Sequence, residues 1–268
     1  MIHKAAIIHP KAEIGKNVSI GPYSVIEEDV VINDDVKIDS NVVIKKWTTI
    51  GQDCVVYSGA VLGNIAQDKK FQGERSYLTI GKNNIIREYV TMHRGNNAEG
   101  TTMVGDGNFF MVGAHVAHNC EIGNEVVVSN FASIAGHVIV EDKSFISGSV
   151  VVHQFVRIGT LSMIGGNSKV VQDVPPYILV DGHPARTYSL NSVGLLRAGI
   201  SEDSRKKLKR AYRLIFRSGI SISKALRKIE EDIKNDNYVN HLIQFVQNSE
   251  RGICRGQEIQ GNGNFDDL

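Results

Sequence analysis

An apolar residue recurs at every sixth position over most of the stretch from Ile2 to Val170, and this period constrains the fold more than any other feature of the chain. Stepping by six from Ile2 gives Ile8, Ile14, Ile20, Ile26, Ile32, Ile38, Ile44, Ile50, Val56 and Leu62 without a miss. The register returns at Ile80, Ile86 and Met92. It then runs through Val104, Phe110, Val116, Ile122, Val128, Ile134, Val140, Ile146, Val152, Ile158 and Ile164 to Val170. An amphipathic helix needs apolar residues at spacings of three and four, which this stretch does not sustain. A period of six fits short parallel strands wound into a three-faced prism, three hexads to a coil, with coils stacked about 4.8 Å apart. The aliphatic column then fills the prism. Glycine follows it at Gly15, Gly21, Gly51, Gly63, Gly81, Gly105, Gly123, Gly159 and Gly165, where a backbone without Cβ turns tightly.

Two gaps interrupt the register without shifting it, near residues 63–79 and 94–103. They read as loops extruded between coils, and loops on a rigid scaffold are the natural carriers of substrate contacts. After Val170 the hexads stop, and Pro175-Pro176 removes two backbone donors and forces an extended path. From Ser201 the pattern becomes helical. Ser201 is a cap, Glu202 and Asp203 favour the positive helix end, and Leu208, Tyr212, Ile215 and Phe216 share one face. Further helices are expected near Ser223 to Ile233 and Tyr238 to Gln247. The chain therefore divides into a prism over residues 1–188, a helical region over 189–254 and a polar tail over 255–268, expected to fray.

Composition excludes several classes. The 30 Lys and Arg balance 29 Asp and Glu to a net charge of +1, so no global field recruits nucleic acid or an anionic membrane. The start lacks the apolar stretch of a secretory signal, and no segment is apolar for long enough to span a bilayer, which predicts a soluble, cytoplasmic protein. The three cysteines, Cys54, Cys120 and Cys254, are widely spaced and read as buried free thiols.

Histidine carries the chemical signal. His93, His115, His118, His137 and His153 fall at the second gap or on the coils after it. Residues 18 apart stack on adjacent coils, so Asn119 neighbours His137, and His118, Gly136 and Gln154 form a second column. Imidazole titrates near neutral pH and takes a proton from an attacking hydroxyl or amine, and a glycine N–H beside it stabilises an oxyanion. Trimeric prisms that hold zinc on three histidines are a competing reading. Their two closest ligands are five apart in sequence, whereas His115 and His118 are three apart.

The segments Asn64 to Phe71, Ile86-Arg87-Glu88, Met92-His93-Arg94-Gly95, Ala114 to Cys120, Ala135-Gly136-His137, Val152 to Phe155 and Gln172 to Tyr177 occur in an order that resembles the UDP-N-acetylglucosamine acyltransferases. The likeness reaches from the first hexads to Ser249-Glu250-Arg251-Gly252. It implies an all-β left-handed parallel β-helix followed by a small α-helical C-terminal domain, assembled as a homotrimer. It also implies transfer of an (R)-3-hydroxyacyl chain from acyl carrier protein to the 3-position of UDP-N-acetylglucosamine or its 3-amino analogue, the first step of lipid A biosynthesis. No metal or cofactor is implied, acyl carrier protein being the donor substrate.

By the same likeness His118 is the general base, Gly136 supplies the oxyanion N–H, and Asn119 orients His118 where many relatives have Asp. Asn accepts a hydrogen bond but brings no charge to stabilise imidazolium. Asp68, Lys70, His115, His137 and Gln154 are implied to hold the sugar nucleotide. Gly148, Gly166, Asn191 and Arg197 would contact the acyl chain or the phosphopantetheine arm. Gly166 stands where a large side chain would cap the hydrocarbon channel, so a longer acyl chain is expected; otherwise it serves only a coil turn. Ala198 stands where some relatives carry a second Arg. Arg205, Lys206, Lys207, Lys209, Arg210 and Arg213 form a basic helical surface suited to an acidic carrier protein. The alternatives are an acetyl-CoA-dependent sugar acetyltransferase of the same fold and a non-catalytic hexapeptide scaffold.

Overall fold

In the computed structural model, which describes residues 1–256, the hexads build a left-handed parallel β-helix with three flat faces. Most strands are two residues long, and they stack into parallel sheets of nine and eight strands and a third of ten that an antiparallel hairpin closes. The first face runs from Ile7–Ile8 to Lys169–Val170, the second from Glu13–Ile14 to Arg157–Ile158, and the third from Ser19–Ile20 through Met163–Ile164 to that hairpin. The aliphatic column points inward as the period requires, with Ile44, Ile50, Ile86, Phe110 and Ile164 fully buried. Each such side chain removed from water contributes about 1.5–3 kcal/mol.

A second inward column lies two residues before the first. It is made of small side chains, among them Ser24, Val30, Cys54, Ala60, Ala114, Cys120 and Ser144, and it fills the prism's corners. The expected buried thiols Cys54 and Cys120 belong to it, and Cys254 is buried as well.

The turns are made differently from the sequence expectation. Gly15 and Gly51 are not left-handed; the left-handed residue comes two positions later, as at Asn17, Asp35 and Asp53, and at Tyr23, Phe131 and Leu161 in other hexads. From the second coil on, these corner residues donate their N–H to the coil below, as Tyr23 does to Ala5 (3.2 Å) and Asp35 to Lys16 (2.9 Å). Gly15 is needed instead for close approach. A Cβ there would lie 2.6 Å from the Asn33 carbonyl carbon of the next coil.

The two gaps are excursions, between Val61–Asn64 and Tyr77–Ile80 and between Thr91–His93 and Thr101–Val104. Uninterrupted coils pair residues 18 apart, such as His115 with Ser133. Across the excursions Val61 pairs with Thr91 and Thr91 with His115, so the hexad phase is kept, with one local shift between Leu62 and Asn64 where the first excursion leaves the strand. The excursions brace each other: Arg94 N–H donates to the Asn64 carbonyl (3.0 Å), Gly95 to Tyr77 (3.2 Å) and Glu99 to Arg75 (2.8 Å). Arg94 is buried between the Trp47 and Phe71 rings, 5.0 and 5.6 Å from their centroids, and donates to the Gly63 carbonyl at 3.3 Å.

The hairpin of Ile178–Gly182 and Ala185–Leu190 extends the third face, so strand runs two residues past the predicted boundary at 188. Four helices follow: α1 (Ser192–Arg197), α2 (Glu202–Phe216), α3 (Ile222–Asp232) and α4 (Asn237–Gln247). Ser201 caps α2 as predicted, Ser221 and Asp236 cap α3 and α4, and the short α1, capped by Asn191, was not foreseen. The helices return the chain to the β-helix, where Cys254 N–H donates to Asp173 (2.8 Å) and Thr187 Oγ1 to the Cys254 carbonyl (2.7 Å). Of the tail expected to fray, residues 257–268 lie outside the described residues. Among the described residues no helix is long and apolar enough to cross a membrane.

Candidate active site

Three left-handed corner residues, Asn119, His137 and Phe155, follow one another up the edge between the first and second faces. Each is preceded by one member of the predicted column, His118, Gly136 and Gln154. The corner bonds hold this stack, with His137 N–H to the His118 carbonyl at 3.1 Å and Phe155 N–H to the Gly136 carbonyl at 3.1 Å. Beneath Asn119 the second excursion removes the usual backbone acceptor, and the buried Thr102 hydroxyl replaces it at 2.8 Å.

The His118 ring lies directly over Gly136, where a Cβ would come within 2.5 Å of its Cε1. The Gly136 N–H has no acceptor among the described residues. His118 Nδ1 meets Asn119 Oδ1 at 3.1 Å, and that oxygen also accepts the Asn96 backbone N–H at 2.9 Å. A backbone N–H can only donate, and Asn119 Nδ2 is engaged by Asn97 Oδ1 at 3.0 Å, so the Asn119 amide has one satisfactory orientation. Its oxygen therefore faces His118. In the neutral ring Nδ1 then carries the proton toward Asn119, and Nε2 carries the lone pair.

The other imidazoles surround this centre. His137 stands edge-on to His118 (centroids 5.2 Å) and stacks on Phe155 (4.8 Å), and His115 stands edge-on to His93 (5.1 Å) with Nδ1 2.7 Å from Thr91 Oγ1. Burial, reinforced by His93 and His118, pushes His115 down to about 4. Burial and the His118 charge also lower His137, and burial lowers His93. Asp68 reaches the site from the first excursion. The Lys70 N–H (3.0 Å) and the Asn96 Nδ2 (2.7 Å) hold its carboxyl below the usual range. A groove of about 400 Å³ runs beside these groups, lined by Gln67, His115, His118, Ser133, Gly136, Val151 and Gln154.

The fold is that of a known group of enzymes. A family model described as UDP-N-acetylglucosamine O-acyltransferase, domain 2, matches residues 173–254, and the bacterial transferase hexapeptide model matches 29–64 and 101–136. An acyl-[acyl-carrier-protein]–UDP-N-acetylglucosamine O-acyltransferase of Thermodesulfovibrio yellowstonii is 47% identical over 95% of this chain and 99% of its own length. One of Halorhodospira halophila is 42% identical over the same shares. The crystal structure of a UDP-N-acetylglucosamine acyltransferase from Bacteroides fragilis superposes with a TM-score of 0.94 at 43% identity, covering 95% of this chain and all of that one. The chain belongs to the UDP-N-acetylglucosamine O-acyltransferase family. It is an acyltransferase.

Of the residues singled out from the sequence, His118, Asn119, Gly136, His137, Gln154, His115 and Asp68 converge on this one corner. Lys70 is exposed next to Asp68 and bonds it through its backbone N–H rather than its ammonium group. Gly148 and Gly166 stack in one column at the far edge of the first face, and neither is left-handed. A Cβ on Gly166 would meet nothing closer than the Gly148 carbonyl oxygen at 3.6 Å, so the coil turn does not require glycine there. Asn191 spends its side chain on structure, its Oδ1 accepting from Gly194 N (3.0 Å) and its Nδ2 donating to the Leu161 carbonyl (2.8 Å). Arg197 is exposed in the last turn of α1.

The basic surface is smaller than its sequence suggested. Lys206 pairs with Glu202 and Lys207 with Asp203 (2.7 Å each), and Arg210 pairs with Asp232 (2.6 Å). Arg205, Lys209 and Arg213, one turn apart along α2, have no carboxylate partner among the described residues. Asn96, Asn97, Gln67 and Thr91 were missed. They lie in the excursions or behind them, where the simple count of 18 does not apply.

Proposed function

We propose that this enzyme transfers an (R)-3-hydroxyacyl chain from acyl carrier protein to the 3-position of UDP-N-acetylglucosamine, or of its 3-amino analogue, as the first step of lipid A biosynthesis. The observation that carries the reading is the His118 ring packed against Gly136, whose N–H has no acceptor among the described residues, with Nδ1 of that ring turned to Asn119 Oδ1. His118 Nε2 takes the proton as the sugar hydroxyl or amine attacks the thioester carbonyl. The tetrahedral oxyanion forms against the Gly136 N–H, and the pantetheine thiolate then leaves as the carbonyl re-forms and takes the proton back from His118. Asn119 holds the imidazole in the tautomer this sequence needs.

Asp68, Lys70, His115, His137 and Gln154 bind the sugar nucleotide in this reading. Neutral His115 and His137 can accept or donate to sugar hydroxyls, and Lys70 supplies a compact cation for the diphosphate. The acyl chain runs along the groove over Ser133 and Val151 toward Gly148 and Gly166. Asn191 and Arg197 stand nearest the pantetheine arm, with Asn191 acting as the brace of the α1 cap. The unpaired row Arg205, Lys209 and Arg213 receives the acidic carrier protein.

The groove is open along the first face and needs a second wall. The edge between the third and first faces carries exposed Tyr23, Tyr89 and Phe131, with Ile85 and Phe145 beside them on the third face, which suits burial against further copies of the chain. The functional unit is therefore a homotrimer with sites between neighbours, and sedimentation as a monomer at micromolar concentration contradicts it.

Mass spectrometry of products from mixed UDP-sugar acceptors and a ladder of hydroxyacyl-carrier donors tests the reading directly. His118→Ala is expected to lose about 10²–10⁴ in kcat. Full activity in that variant would remove the base.

A further inference from the structure

Asn96 sits where the two excursions meet and makes two bonds of different kinds. Its backbone N–H donates to Asn119 Oδ1 at 2.9 Å, the oxygen that faces His118. Its side-chain Nδ2 donates to Asp68 Oδ2 at 2.7 Å. The remaining Asp68 oxygen is taken by Lys70 N–H within its own loop (3.0 Å), so Asn96 is the one side chain among the described residues that ties Asp68 to the catalytic corner.

The backbone around Asn96 is fixed independently of that tie. Gly95 and Gly100 close the neck of the second excursion, a Cβ on Gly95 falling 2.4 Å from the Gly100 carbonyl carbon. Ser76, fully buried, donates its hydroxyl to the Gly95 carbonyl at 2.6 Å, and Gly100 N–H closes a turn onto Asn97 at 2.9 Å. The donor to Asp68 thus projects from a rigid neck, whereas the Asp68 carboxylate is otherwise bonded only to the Lys70 N–H of its own loop.

We infer that Asn96 is a positioning residue of the transferase, registering the Asp68 carboxylate of the sugar site against the His118 base through one backbone and one side-chain hydrogen bond. The inference rests on the proposed role of Asp68 as a sugar contact. In this reading Asn96 acts through Asp68 and Asn119 rather than on a substrate. Its effect appears as sugar affinity, because an untethered Asp68 must be ordered anew at each binding event.

The polarity of the bond supplies a stringent variant. Asn96→Ala removes the donor, and Asn96→Asp sets two carboxylates at hydrogen-bond distance, which repel while both are ionised. The experiment measures KM and kcat for UDP-N-acetylglucosamine, and its Kd by calorimetry, in Asn96→Ala, Asn96→Asp, Asp68→Ala and the Asn96→Ala/Asp68→Ala double variant of the full chain. Asn96→Ala is expected to raise Kd and KM about tenfold with kcat changed less than about twofold, in keeping with a hydrogen bond to a charged group. Asn96→Asp is expected to be weaker still at pH 7 and to recover toward Asn96→Ala as the pH falls and one carboxyl takes a proton. In the Asp68→Ala background Asn96→Ala should add nothing, the signature of two residues acting through one contact. Asp68→Ala with raised Kd but Asn96→Ala with unchanged Kd, or additive effects in the double variant, overturns the tether alone. An unchanged Kd in Asp68→Ala removes the sugar contact and this inference with it.

Discussion

The His118 imidazole rests on the Gly136 backbone so closely that a methyl group at 136 would lie 2.5 Å from Cε1 and 2.7 Å from Nε2. Gly136 is not in a left-handed conformation, so its lack of a side chain serves the imidazole rather than the turn. Gly136→Ala therefore pushes the ring off its bond to Asn119 without straining the coil. The expected outcome is a loss of about 10²-fold in kcat with little change in thermal stability, because displacements near 1 Å carry that penalty. A large drop in melting temperature would instead mean that the glycine supports the coil.

The orientation of His118 depends on an uncharged acceptor. Asn119 offers one oxygen, already shared with the Asn96 N–H, and no second oxygen to replace it if the amide turns over. Asn119→Leu leaves Nδ1–H without its acceptor and frees the tautomer, and kcat is expected to fall by about 10- to 100-fold. Asn119→Asp keeps an oxygen toward both donors and is expected to stay within about threefold of the parent, since Asn97 can turn its own amide to donate. Steady-state kinetics of the pair decides it. Equal losses in both variants would show that more than acceptor geometry is at stake.

Much of the scaffold was legible because a β-helix is a counting device. Ile2 to Val170 fixes which residues face inward, and an offset of 18 is enough to stack His118, Gly136 and Gln154. The corners were not legible. Tyr23, Phe131 and Leu161 adopt left-handed conformations that their side chains disfavour, because stacking on the coil below outweighs a local cost of about 1 kcal/mol. The second inward column, Ser24 to Ser144, mixes small apolar residues such as Val30 and Ala114 with Ser24, Thr48, Asn84 and Ser144, so it stands out less than the aliphatic one. Where the excursions lengthen the coil the count changes, as between Val61 and Thr91, so nothing in the sequence set Asn96 beside both Asp68 and Asn119. Resemblance supplied Asp68 as a site residue. Only the folded loops supply its partner.

Acid should weaken the fold through the buried histidines. His115 takes its proton near 6.5 when unfolded and only at about 4 in the folded chain, burial being the main cause. Between those values the unfolded state binds more protons, so stability falls as the pH drops, being fully present above about 6.5 and lost by about 4. The contribution is on the order of 3 kcal/mol. His93 and His137 are lowered too and act with the same sign. Chemical denaturation from pH 7 to 4 should show this slope, and His115→Gln should flatten part of it. A slope unaltered in the variant would show that His115 is not its source.

Gly165 and Gly166 are adjacent glycines with opposite requirements, and the pair gives the sharpest check on the acyl groove. A Cβ on Gly165 would lie 2.5 Å from Asp181 Oδ1, which already accepts Ser168 Oγ (3.0 Å) and Gly182 N–H (2.7 Å). Gly165→Ala therefore crowds the link between the last coil and the hairpin and should cost about 1–3 kcal/mol of stability. Gly166 has no such neighbour, its nearest contact being the Gly148 carbonyl oxygen at 3.6 Å, and its surface is open. Gly166→Met should leave stability within about 0.5 kcal/mol while filling the end of the groove. If the acyl chain extends along this edge, the methionine shortens the preferred hydroxyacyl chain by several carbons, with kcat/KM for the longest donors falling and that for short donors kept. Profiling both variants against a donor ladder, with melting temperatures alongside, separates the two effects. An unchanged chain-length profile in a well-folded Gly166→Met would move the acyl path away from this edge.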